Sequence, residues 1–180
     1  MVISEAELIE GCIKGDRASQ KKLYHQFAPK MLGVCRRYFE TLEEAEDALQ
    51  EGFIKVFENL KKYRNEGSFE GWIRRIIVNT ALNNYRSNLK NYFHSDFEEN
   101  EKELVHNDDI IGSFSVDALL KIIDSLPKGY KMVFNLYEME GYSHKEIAQL
   151  CDFTENTSKS QLVKAKKFLR KKIEETGLNN

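Results

Sequence analysis

Apolar positions along this chain recur at the three- and four-residue spacing of helices, and the Gly- and Pro-punctuated pattern of an all-β protein is missing. Ser4, with Glu7 at the third position after it, fits a capping box and opens a short predicted helix carrying Leu8, Ile9, Cys12 and Ile13 up to Gly15. Asp16 can cap a second, in which Leu23, Tyr24, Phe27, Met31, Leu32, Val34, Cys35 and Tyr38 keep helical spacing and Pro29 marks a kink or joint. Thr41 and Glu44 form another capping box, ahead of a segment whose Ala45, Ala48, Leu49, Phe53, Val56, Phe57 and Leu60 share one face opposite a row of acids. Lys61 to Gly67 reads as a loop, and Ser68 starts a helix through Phe69, Trp72, Ile73, Ile76, Ile77, Thr80 and Leu82 to about Leu89.

Between Asn91 and Ser115 the periodicity fades, and acids such as Asp96, Glu98, Glu99, Glu101 and Glu103 take over. Such a segment cannot bury enough surface to offset its ordering entropy, which predicts a flexible acidic linker. Beyond it come a helix ending at Leu126-Pro127 and another, through Tyr130, Val133, Phe134, Leu136 and Tyr137, ending at Gly141. Ser143 and Glu146 make a third capping box for Lys145 to Leu150, and after the turn Cys151-Asp152-Phe153 a long final helix begins near Thr154. The expectation is an all-α protein of two small helical domains, 4–90 and 113–175, joined by the linker 91–112.

Composition narrows the class. The 180 residues are 41% hydrophobic and 31% charged, which suits a folded chain of one ordinary or two small domains. No stretch approaches the roughly 20 apolar residues of a membrane span and no apolar leader core opens the chain, so the expected place is the cytoplasm without membrane insertion. Cys12, Cys35 and Cys151 are an odd set without CxxC spacing, which argues for reduced cysteines packed in helices rather than a disulfide framework or zinc site. His25, His94, His106 and His144 are scattered, with no HExxH and no Gly-rich phosphate loop, so no catalytic residue, metal or cofactor is expected.

The net charge of −2 would argue against nucleic-acid binding, but its distribution overrides the total. Glu40 to Glu51 carries acids and no base, whereas Lys159 to Lys172 carries bases and no acid, a pattern that suggests separate surfaces for separate partners. Ser143 to Lys172 has the build of a helix-turn-helix, in which Leu162, Ala165, Phe168 and Leu169 face inward. If the final helix enters the major groove, its early turns bring Asn156, Lys159, Ser160, Gln161 and Lys164 to base edges or phosphates, and later bases such as Lys167 flank the backbone. The plainer alternative is a solvated basic helix packed by its apolar stripe, and the capped helix and short turn upstream favour DNA. A second cluster, Lys61, Lys62, Tyr63 and Arg64 with Phe69, Trp72, Arg74, Arg75, Asn79, Asn83, Tyr85 and Arg86, alternates bases, aromatics and amides as a single-strand site requires. Trp72 by itself fits a core position better than a stacking platform.

The segments Asp47-Ala48-Leu49-Gln50-Glu51-Gly52-Phe53-Ile54-Lys55-Val56-Phe57 and Phe69-Glu70-Gly71-Trp72-Ile73-Arg74-Arg75-Ile76-Ile77-Val78-Asn79 closely resemble sigma region two. Leu126-Pro127, Gly141-Tyr142-Ser143-His144-Lys145-Glu146-Ile147-Ala148 and Thr157-Ser158-Lys159-Ser160-Gln161-Leu162 resemble region four. In order, spacing and acidic linker the chain resembles an extracytoplasmic-function sigma factor of bacterial RNA polymerase from about Leu8 to Ile173. The resemblance implies a protein that directs core polymerase to promoters and performs no chemistry of its own. It further implies that Asp47, Gln50, Glu51 and Phe53 grip the polymerase clamp helices, that the polymerase flap is a further contact of the chain, and that Tyr63, Arg64, Arg75, Asn79 and Asn83 capture the non-template strand of the minus-ten element. An anti-sigma factor is a further partner this family often has. The final motif departs from the family at Asp152, where Gly is common, at Ser158, where an apolar residue is common and where a weakened inward face is expected, and at Gln161, where Arg is common. A stand-alone regulator could share the helix-turn-helix, and a helical adaptor could share the bundles, but the first does not need the acidic helix and the second leaves both basic clusters unexplained.

Overall fold

The computed structural model describes residues 4–95 and 116–176, with side chains for 4–83 and 118–176. Within those residues the chain is helical with no strand. It divides into two compact units, Met1–Arg86 and Ser87–Asn180.

Unit 1 comprises α1 (Glu5–Ile13), α2 (Arg17–Cys35), α3 (Leu42–Asn59), a 3₁₀ turn at Leu60–Lys62 and the greater part of α4 (Phe69–Ser95). The two anticipated capping boxes are present: Ser4 and Glu7 on α1, Thr41 and Glu44 on α3. Asp16 caps α2 by accepting from Ala18 and Ser19, and Pro29 lies inside α2 without ending it. Proline removes the amide that the His25 carbonyl would receive, but both residues are exposed and water can satisfy that carbonyl. The apolar stripes meet in a core in which Leu23, Met31, Val56, Phe69, Ile73 and Ile77 are essentially fully buried, each contributing roughly 1.5–3 kcal/mol. Gly52 lets α3 approach α4, since a Cβ there would run into the Ile77 side chain. The helix α4 continues to Ser95, past the fading of the apolar period at Asn91, and the greater part of the expected linker lies outside the described residues.

Unit 2 comprises α5 (Val116–Asp124), α6 (Lys128–Phe134), a π-helical turn at Asn135–Met139, α7 (His144–Cys151) and α8 (Glu155–Glu175). The apolar spacing predicts one helix as far as Gly141. Instead the Glu140 amide reaches back five residues to the Asn135 carbonyl at 3.0 Å, widening the final turn before Gly141 takes φ +75°. The core is built where Ile123, Leu126 and Ala165 meet, with Tyr130, Phe134, Phe168 and Leu169 packed against them. Cys12, Cys35 and Cys151 are buried and form no disulfide among the described residues, and burial pushes the pKa of the Cys35 thiol up to about 12.

Candidate functional site

Three surfaces gather the residues singled out from the sequence. On α3, Asp47 and Gln50 are exposed, and Glu51 is half-buried and paired with Lys55 at 2.6 Å. Phe53 does not join them: it is 2% exposed, with its ring edge-on to Tyr24 at 4.8 Å. One position later Ile54 is 58% exposed, at the helical spacing that places it beside Asp47, Gln50 and Glu51. This face therefore consists of acids and an amide around an apolar side chain, and Phe53 supports it from beneath. The signal for Ile54 was its place four residues after Gln50 and three after Glu51.

The second surface is the loop between the 3₁₀ turn and α4. The Tyr63 hydroxyl lies 2.9 Å from the Gly67 carbonyl oxygen and 3.2 Å from Asn65 Oδ1, so its proton can be donated to either. The Tyr63 ring packs on Phe69 and Trp72, with centroids at 5.0 and 5.3 Å. Asn65 and Gly67 take φ +58° and +97°, conformations that asparagine and glycine tolerate best. The loop is thus held in shape by its own tyrosine, leaving Arg64 outward. On α4, Arg75, Asn79 and Asn83 follow at four-residue intervals, with Arg75 and Asn83 exposed and Asn79 half-buried. Trp72 is half-buried and stacked on Phe69 at 5.8 Å, which is the core role preferred for it. Tyr85 and Arg86 lie where side chains are not described.

The third surface is the helix-turn-helix. Ser143 and Glu146 cap α7 reciprocally, and α7 ends at Asp152 in the left-handed conformation, φ +60° and ψ +47°. The amides of Asp152 and Phe153 both return to the Ala148 carbonyl, so the departure from glycine leaves the turn intact. Thr154 caps α8, accepting from the Thr157 amide at 3.1 Å. Leu162 and Ala165 face inward, while Asn156, Lys159, Ser160 and Lys164 are exposed along the opposite side. Gln161 is half-buried, and its carbonyl oxygen is enclosed without a hydrogen-bond partner among the described residues. Val163, 67% exposed, lies among Asn156, Lys159 and Ser160 and was missed because a valine in a helix reads as core. Ser158, expected to weaken the inward face, is wholly buried and 2.8 Å from His144 Nδ1.

Comparison with known proteins bears on all three surfaces. Residues 23–90 match the model for sigma-70 region 2, and residues 117–169 match that for sigma-70 region 4. The chain is 27% identical to the ECF RNA polymerase sigma-E factor of Haemophilus influenzae, over 96% of each chain, and 25% identical to the RNA polymerase sigma-H factor of Pseudomonas aeruginosa, over 94% of each. Among solved structures it resembles the sigma factor RpoE of a complex with the anti-sigma factor NepR from Bartonella quintana. That likeness has TM-score 0.51 and 19% identity, covering 84% of this chain and 94% of that one, and it carries the fold alone.

Two such regions in this order, one with an acidic helix face and a braced basic loop and the other with a helix-turn-helix, define a transcription-initiation factor. The chain belongs to the sigma-70 family and is an RNA polymerase sigma factor of the extracytoplasmic-function type. It binds core polymerase and directs promoter-specific initiation. Among the described residues no helix is long and apolar enough to cross a membrane.

Proposed function

We propose that the three surfaces divide the work of initiation. The α3 face of Asp47, Gln50 and Glu51 docks on the clamp helices of core polymerase, with Phe53 holding that face rigid. Tyr63, Arg64, Arg75, Asn79 and Asn83 form the site for an unstacked non-template strand at the minus-ten element. Asn156, Lys159, Ser160 and Lys164, with Gln161 at the edge, address the minus-thirty-five duplex, while this second domain meets the flap.

The domains are taken as 4–90 and 113–175 with the linker at 91–112, and the protein acts in the cytoplasm without catalysis or cofactor. An anti-sigma factor is a further partner, by analogy with the relative solved in complex with NepR. The observation that carries the reading is the coexistence of an exposed acidic helix face and a basic helix-turn-helix in one chain of net charge −2. The test is assembly with core polymerase in the absence of DNA, followed by transcription from a genomic library. Specific transcripts that need the chain are expected, and failure to associate with core without DNA would sink the assignment.

A further inference from the structure

From Arg17 to Phe39 the chain carries Arg17, Lys21, Lys22, Lys30, Arg36 and Arg37 and no acid, although acids outnumber bases 29 to 27 in the whole protein. On α2 the buried Leu23, Phe27, Met31 and Val34 occupy one side. Lys22, His25, Pro29, Gly33 and Arg36 follow one another at three- and four-residue steps along the other, all exposed, with Lys21 beside them. Lys21, Lys22 and Arg36 enter no ion pair among the described residues, whereas Lys30 is held by Glu70 at 2.7 Å.

Solubility does not account for this face, because mixed charge serves solubility without a field of one sign. Helix stability does not account for it either. Arg17 and Lys21 stand in the first turns of α2, where the helix dipole disfavours cations. The loop assigned to the minus-ten strand meets α2 on its buried side and at its edge, where Phe27 packs edge-on against Phe69 at 5.6 Å, Lys30 pairs with Glu70, and Phe69 carries the Tyr63 ring; the cationic face continues round the helix from Lys30. From Lys22 to Arg36 the helix extends about 21 Å, which is the axial rise of roughly six nucleotides of one strand.

We propose that the exposed cationic face of α2, centred on Lys21, Lys22 and Arg36, binds the phosphates of the non-template strand where it continues beyond the minus-ten loop. The inference rests on the minus-ten reading above. It makes α2 a sequence-independent cation track beside the sequence-reading loop, steadying the melted state without selecting promoters.

The test uses full-length chain assembled with core polymerase, on a promoter duplex and on the same promoter with a pre-melted bubble. Replacing Lys21, Lys22 and Arg36 together by Gln should leave core binding unchanged, lower affinity for the bubble about tenfold at low salt, and reduce the log–log salt slope by about 2. Lys22→Gln alone should show a smaller change in the same direction, and the charge-preserving set Lys21→Arg, Lys22→Arg and Arg36→Lys should behave as the parent. An unchanged salt slope in the triple Gln variant would overturn the proposal, as would loss of core binding with DNA affinity intact. A defect on duplex with a normal bubble would also overturn it, by assigning the face to duplex DNA. If the parent itself forms no open complex, the minus-ten reading fails and this proposal fails with it, a result distinct from a parent that works and a variant that works equally.

Discussion

His144 Nδ1 and Ser158 Oγ lie 2.8 Å apart and join the first turn of α7 to the first turn of α8 across the helix-turn-helix. The imidazole is also stacked on Tyr137 of the π-helical turn, centroids 4.5 Å apart and planes at 21°. This buried hydroxyl thus has a partner, and the start of the recognition helix is fixed by a polar contact rather than by packing alone.

Ser158→Ala should therefore cost about 1 kcal/mol in the stability of the second unit, the usual net value of one hydrogen bond. A double-mutant cycle with His144→Ala, read by thermal or urea unfolding, isolates the contact. A coupling energy near zero would show that the two groups are merely adjacent.

Phe53 and Ile54 separate folding from docking on α3. Phe53→Ala should destabilise unit 1 by about 3–5 kcal/mol by emptying a core site. Ile54→Ala should leave the melting temperature nearly unchanged and weaken core-polymerase binding, as should Asp47→Lys with Glu51→Lys. Parental affinity of the Ile54→Ala and charge-reversed chains would assign this face to some other partner.

Capping boxes, helix-turn-helix and the apolar stripes were legible because each is a local pattern with a fixed period. Exposure was legible only on average. Helical spacing alone places Phe53 and Ile54 within 100° of each other, and resemblance drew the choice to Phe53, whereas packing against Tyr24 puts that ring inside. The π-helical turn was hidden for a related reason: a register shift of one residue leaves the apolar spacing of Val133, Leu136 and Tyr137 almost unaltered. Ser158 shows the same limit, since its partner His144 is distant in sequence and no local rule connects them.

In the loop, the hydroxyl and the ring of Tyr63 should have separable effects. Tyr63→Phe keeps the packing on Phe69 and Trp72 but releases the Gly67 carbonyl, so it should impair open-complex formation by a few-fold, and Tyr63→Ala by more. Asn65→Gly preserves the positive φ and should be milder than Asn65→Val, where a β-branched side chain meets a left-handed backbone. Permanganate footprinting of the melted strand checks the order. Equal footprints for Tyr63→Phe and parent would make the hydroxyl irrelevant to the loop.

Acid should loosen α2. Its cap Asp16 is held below its usual pKa by hydrogen bonds from Ser19, side chain first and backbone next, with desolvation opposing them and a smaller backbone bond from Ala18 assisting. A carboxylate with a depressed folded pKa contributes stability above its unfolded value, near 3.9, and loses it as pH falls through the folded value. Asp16→Asn should still cap, and should flatten the part of the stability–pH curve below about 4, as urea midpoints at several pH values would show. Curves that stay parallel would remove Asp16 from the acid response.

The final helix should divide its work by direction rather than by charge alone. Gln161 turns its carbonyl oxygen into the protein, which leaves only its amide nitrogen for a base edge and removes the bidentate pairing with adenine that needs both groups. Lys159, Ser160 and Val163 stand on the open side, and an exposed valine on a groove-facing helix can meet the methyl of thymine. Lys159→Ala and Val163→Ser should each relax preference at one base pair of the minus-thirty-five element, by about 1–3 kcal/mol for the lysine if it reads a guanine and less for the valine. Lys167→Ala should weaken all promoters alike and flatten the salt dependence by about one unit. Selection from randomised minus-thirty-five sequences reads all of these at once. A preference lost in Gln161→Ala but kept in Lys159→Ala and Val163→Ser would mean that the glutamine swings outward on binding DNA, and that the free orientation of α8 side chains does not forecast which of them reads the promoter.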